Sequence, residues 1–462
     1  MRTVVTDAAG TVVADTPAAP RRLAAGTGAD TVQTVTIDGP RLWQGTADPY
    51  SYRANVEIRD AATGAVTDVV TEPLGLRSVR IDADRGLFLN GVHVALHGVN
   101  RHQDVIGKGW AVTDADHARD FELMDEMGVN ALRTAHYQHD QKVYDLADQR
   151  GYLVWTEVPL VNNITDSAAF RTNITQQMRE LIRQNYNHPS ILFWGIGNEQ
   201  GSDGAATNTV LDLLAGVVDT EDPDRFSAYA HNRADTSPLI NHAELTGFNH
   251  YFGWYYDTYH DFGPWADNLH RTQPGRITGM SEYGAGGSIV QHEENPVPPG
   301  PYAKWHPEEY QADFHEAYWK AIEARPYLWG SFVWAMFDFA VDGRNEGDTP
   351  GRNDKGLMTY DRATRKDAFH WYKANWTDTP FVHITSGRFT ERTAATTTVK
   401  VYGTVDSAVL TVNGVRAGAA QTSSDHIYRW PGVTLSPGPN VVTVSGTRGG
   451  QAYTDSVTWT LR

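Results

Sequence analysis

Two glutamates carry the chemistry open to this sequence: Glu199, which closes the run ILFWGIGNE, and Glu282, which closes ITGMSE. A carboxylate at the end of a strand-length apolar run is drawn out of water, and burial without a partner is costly. The same desolvation raises its pKa toward the value a general acid needs at neutral pH. One such glutamate reads equally well as an ordinary residue before a helix; the second copy of the pattern favours chemistry. Two carboxyl groups facing across one cleft are what glycoside hydrolysis requires, one to protonate the leaving oxygen and one to attack the sugar carbon or activate water.

Several elements must position that pair. Apolar runs at residues 94–99, 131–135, 153–158, 191–196, 226–230, 245–251, 277–282 and 328–339 alternate with amphipathic helical patterns at 114–127, 141–149, 168–186, 208–218, 308–324 and 366–374. Eight strand candidates, most with a helix behind them, predict an α/β fold with a (β/α)8 barrel over residues 83–380. The helical pattern after the fifth run is the weakest. Chemistry in such a barrel gathers at the strand ends. The polar residues there are Asn100, Arg101 and His102, then Arg133 and His136, Asn198 and Glu199, His250 and Tyr251, Glu282, and finally Trp334 and Asp338. The Pro- and Gly-rich stretch 286–307 is too long for a connector and reads as an active-site rim.

On either side the pattern is of short strands. Residues 1–82 alternate polar and apolar positions at 32–37 and 52–58, with turns at Asp38-Gly39 and Thr63-Gly64, and predict an immunoglobulin-like β-sandwich. Residues 390–462 predict a small second sandwich containing an Asn413-Gly414 hairpin turn.

Composition narrows the field. The 462 residues hold no cysteine, which excludes disulfides, thiolate nucleophiles and zinc-thiolate sites. A formal charge of −17 disfavours nucleic acid and anionic membrane as partners. There is no apolar run of about 18 residues to span a membrane. The first residues lack a signal-peptide pattern in the chain as given, which makes the cytoplasm the default expectation. His102, His136 and His250 do not have zinc-site spacing, and neither a GxxxxGK-type phosphate loop nor a GxSxG elbow is present. A homo-oligomer is left open.

The motifs HGVNRHQD at 97–104, RTAHYQHD at 133–140, NHPSILFWGIGNEQ at 187–200, SEY at 281–283 and GSFVWAMFDF at 330–339, in that order, resemble glycoside hydrolase family 2, the β-galactosidase and β-glucuronidase family. The resemblance covers nearly the whole chain. It implies an exo-acting, retaining β-glycosidase with Glu199 as acid/base and Glu282 as nucleophile. It also puts His102, Arg133, His136, Asn198, His250, Tyr251 and Trp334 around the sugar. Where magnesium-bearing β-galactosidases of the family have an acid and a histidine after strand three, this chain has Val161 and Asn163, so no metal or other cofactor is expected. The histidine they carry three residues after the nucleophile is Ala285 here. The family's N-terminal jelly roll has no counterpart, because the chain opens inside what resembles the second domain. Asn353-Asp354-Lys355-Gly356 resembles both the Asn-x-Lys signature by which β-glucuronidases hold a uronate and a stretch found in bacterial β-galactosidases. The reading favours a β-galactosidase. Its alternatives are a β-glucuronidase or β-galacturonidase and, in a different class, a catalytically silent carbohydrate-binding relative.

Overall fold

The computed structural model describes residues 1–17, 20–422 and 424–462. Its centre is a closed, all-parallel barrel of eight strands: His97–Arg101, Ala131–Thr134, Leu153–Glu157, Ile191–Asn198, Phe226–His231, Leu245–Asn249, Thr278–Tyr283 and Ser331–Val333, the last pairing back onto the first. Most of these strands are buried along their whole length, which is why they read in the sequence as unbroken apolar runs and not as alternations. Trp155, Phe193, Trp329 and Phe332 fill the lower barrel, with ring centroids 4.8–6.4 Å apart. Trp43, Leu87, Leu89 and Leu96 close the floor beneath them. The upper end is therefore the one left open for a cleft.

Helices Asp114–Met127, Gln141–Arg150, Ala168–Asn185, Ala205–Glu221, Glu308–Glu323 and Asp367–Trp376 fall where the amphipathic patterns put them. Their starts have local causes: Thr113 and Asp116 form a capping box, and Asp140 and Ser167 accept from backbone N–H groups of the first turns. After the fifth strand there is only a 3-10 turn, Pro238–Asn241, as the weak pattern suggested. A helix that the pattern missed, Phe262–Thr272, follows the sixth strand.

The N-terminal unit is one antiparallel sheet of Arg2–Thr6, Val12–Thr16, Tyr52–Arg59 and Val66–Leu74. Among the described residues the expected immunoglobulin-like sandwich is thus a single layer. The supposed strand at 32–37 is irregular, with Val32 92% exposed and nothing to pair against. The C-terminal unit is the two-sheet sandwich expected, around Val401, Leu410, Trp430, Val444 and Trp459. Its hairpin turn has Asn413 and Gly414 at φ of 52° and 78°, the left-handed pair that a two-residue turn demands. Among the described residues no helix is long and apolar enough to cross a membrane.

Candidate active site

Arg133, on the second strand, organises the barrel mouth. It is fully buried and divides its donors among four strand ends, the first of them through a 3.1 Å bond to Asn100 Oδ1. It gives 2.9 and 3.1 Å bonds to Glu157, one of 2.8 Å to Asn198 Oδ1, and one of 2.8 Å to Glu282 Oε1. Burial alone would push Glu157 up, but Arg133 and His136 outweigh it and hold its carboxyl below the ordinary value. Gly195 on the fourth strand makes room for this pair: a Cβ there would lie 2.3 Å from Glu157 Cβ and 2.5 Å from Trp155 Nε1.

Glu282 is buried at the tip of the seventh strand, and its second oxygen accepts from Tyr251 at 2.7 Å. Both of its oxygens thus accept from buried donors. Glu199, just past the fourth strand, is different. Its backbone is in the left-handed region, φ 52°, and its N–H donates to Ala230 O at 3.0 Å. Its carboxyl accepts from Asn249 Nδ2 at 2.8 Å, while Asn249 Oδ1 takes the Ser281 hydroxyl at 2.6 Å. Burial pushes Glu199 up to about 7, the charge of Glu282 adds to the rise, and the Asn249 bond opposes it. The two carboxyl groups therefore sit in unlike surroundings, one among strong donors and one meeting a single amide.

Both line a cleft of about 670 Å³, together with His102, His136, Asn198, Tyr251, Trp334 and Asn353. His136 Nδ1–H donates to Glu157 at 2.6 Å, and the ring lies 3.8 Å from Glu282 and stacks on Trp334 at 5.1 Å. His102 packs against Phe339 at 4.3 Å, and burial holds its imidazole well below the ordinary value.

Three residues expected at the sugar do not line that cleft. Arg133 lies beneath it and acts through Glu282 and Asn198. His250 faces away, bonded to Tyr256 OH at 2.7 Å and packed edge-on against Trp265 at 4.5 Å, because the chain's alternation sends its neighbour Tyr251 into the mouth instead. Lys355 is fully buried just behind the wall, its ammonium 5.2 Å from the Trp254 ring centroid and 5.3 Å from that of Tyr255. That ammonium has no hydrogen-bond acceptor among the described residues. Asp361 takes Thr359 and the Ala363 N–H. A short hairpin, Phe339–Ala340 against Arg352–Asn353, brings this segment to the mouth, and Asn353 Oδ1 accepts the Lys355 N–H at 3.1 Å.

Glu157 and Asn249 are not among the residues expected from the sequence, although each is the last residue of its strand. Tyr255 and Arg344 also line the cleft, and the 286–307 stretch contributes Tyr302, whose ring sits 6.0 Å from that of Tyr255. Among the described residues no three carboxylate or imidazole groups gather as a metal-ligand set.

The model for glycosyl hydrolases family 2, TIM barrel domain, matches residues 79–380. A curated protein of Bacteroides fragilis named beta-glucuronidase is 41% identical over 441 residues, covering 93% of this chain and 63% of its own length. The chain thus spans less than two thirds of that relative. A solved structure described as a putative beta-galactosidase from Bacteroides fragilis superposes with a TM-score of 0.95 at 34% identity, over 100% of this chain and 68% of the other. Bacteroides uniformis beta-glucuronidase 2, covalently bound to cyclophellitol-6-carboxylate aziridine, gives 0.90 at 29% identity, over 100% of this chain and 57% of the other. With the two carboxyl groups at the ends of strands four and seven and the family model spanning the whole barrel, the chain belongs to glycoside hydrolase family 2.

Proposed function

We propose that the chain is a retaining β-glucuronidase, which replaces the galactoside preference expected from the motifs. The observation that carries this reading is the Lys355 ammonium, buried behind the cleft wall without an acceptor. A buried, unpaired cation is costly, and a substrate carboxylate arriving beside it would remove the penalty; a neutral hydroxymethyl group would not. The beta-glucuronidase relatives point the same way.

In the first step Glu199 gives its proton to the glycosidic oxygen, the bond from C1 to that oxygen breaks, and a Glu282 oxygen bonds to C1. In the second step Glu199, now ionised, takes a proton from water as that water attacks C1, and the bond to Glu282 breaks. Asn198, whose Oδ1 accepts from Arg133 and Asn249, would give its remaining amide N–H groups to the sugar 2-hydroxyl. Neither step calls on a metal, and Val161 and Asn163 supply no anionic ligand; EDTA should leave turnover unchanged, and a magnesium-reversible loss would contradict this.

The test is the rate of the purified chain on the nitrophenyl β-glucuronide and the nitrophenyl β-galactoside. The proposal expects kcat/KM for the glucuronide to be at least about a hundredfold higher, from the cost of leaving a buried charge unpaired. A faster galactoside would overturn it.

A further inference from the structure

The side of the cleft that receives the leaving group differs in character from the side that would hold the uronate. Lys355, Asn353, Tyr255 and Tyr302 belong to the loops after strands six, seven and eight. Glu199 must deliver its proton to the leaving oxygen, so the leaving group lies along Glu199, between the loops after strands three and five. Those loops put Asn162 and Asn232 on the cleft wall, with Val161 as the apolar contribution beside them.

Resting on the two-carboxylate reading above, we propose that Asn162 and Asn232 form a leaving-group subsite for a hydroxylated group, a second sugar, and not for a flat or aliphatic apolar one. Both residues are exposed on the cleft wall, and their side-chain amides make no hydrogen bond to the protein among the described residues, which leaves them to water or a ligand. Their backbones, in contrast, are fixed against Glu199. The Asn162 N–H donates to Asn198 O at 3.0 Å and Gly201 N donates to Asn162 O at 2.6 Å. Beside Asn232, Arg233 donates to Gly201 O at 2.7 Å, and the Glu199 N–H is bonded to Ala230 O at 3.0 Å. Each amide offers a donor pair and an acceptor, the complement of a sugar's hydroxyls. An apolar leaving group would strip water from both amides and replace none of those bonds, the kind of mismatch that discriminates strongly between substrates.

The test compares kcat/KM for a disaccharide, glucuronic acid β-linked to glucose, with that for cyclohexyl β-glucuronide, in the wild type, Asn162→Gly and Asn232→Ala. Glycine is chosen at 162 because φ there is 61°. The wild type should favour the disaccharide by about tenfold or more, and each substitution should lower the disaccharide-to-cyclohexyl ratio by about five- to tenfold. Preference for the cyclohexyl substrate, or a ratio that neither substitution moves, overturns the subsite. The same two leaving groups on β-galactose separate the failures: if only the galactosides are cleaved, the uronide reading falls while the ratio still tests the subsite. Cleavage of neither pair overturns both.

Discussion

The division of labour proposed for Glu199 and Glu282 rests on environment, since the two side chains are chemically identical. With Glu199 pushed up to about 7, the acid-dependent step should lose rate as pH rises through that value, giving kcat/KM a basic limb near pH 7. Glu199→Gln should erase that limb. It should also show a fast first step and then a stall on a nitrophenyl substrate, whose leaving group needs little protonation, whereas Glu282→Gln should show no first step. Stopped-flow release of nitrophenol distinguishes the two, and equal loss in both would contradict the assignment. The same shift bears on stability. A carboxyl raised in the folded state favours folding while protonated, fully so below its unfolded pKa of 4.5, and that contribution is lost as pH rises to about 7. Glu199→Gln should therefore be more stable than wild type at about pH 8, by up to roughly 3 kcal/mol, and near equal at about pH 4. Urea unfolding at the two pH values measures the difference.

At the scale of elements, the site depends on glycines that let bulky groups share the barrel interior. Gly195→Ala would drive a methyl into Glu157 and Trp155, and the pair that holds Arg133 would have to shift. We expect a loss of about 1–3 kcal/mol from overpacking, together with a large fall in kcat, because Arg133 also fixes Glu282 and Asn198. A variant with wild-type stability and rate would contradict that role. Most of this scaffold was legible in the sequence, since strands buried on both sides leave unbroken apolar runs and their last polar residues mark the mouth. Glu157 and Asn249 had the same signal and were overlooked because nothing in one strand says which neighbour its tip will face. The helix Phe262–Thr272 was hidden by Gly263 and Pro264, which read as breakers although proline fits a first helical turn. His250 and Tyr251 are adjacent, and only the register of their loop decides which one enters the cleft. The alternation at 32–37 has the strand period but lacks a partner sheet to bury it.

At the scale of the whole molecule, the barrel and the C-terminal sandwich are joined by buried charges. Glu308 and Asp367, at the starts of the two last barrel helices, are both taken by Arg388 from the sandwich, and His383 adds a 2.8 Å contact to Asp367. Burial pushes the Glu308 carboxyl up despite Arg388. Arg388→Ala would leave two buried carboxyls short of a partner, at a cost of about 3–5 kcal/mol, visible as a lowered urea midpoint and as earlier proteolysis between barrel and sandwich. An unchanged midpoint would mean the two units do not depend on this contact. The central question is whether one ammonium behind the cleft wall selects the sugar. The direct measurement is the ratio of kcat/KM for nitrophenyl β-glucuronide to that for nitrophenyl β-glucoside, which differ only at C6, in the wild type and in Lys355→Met. The account predicts a wild-type ratio of about a hundred or more that falls toward one in the variant; a ratio below one in the wild type, or one that Lys355→Met leaves unchanged, would contradict it.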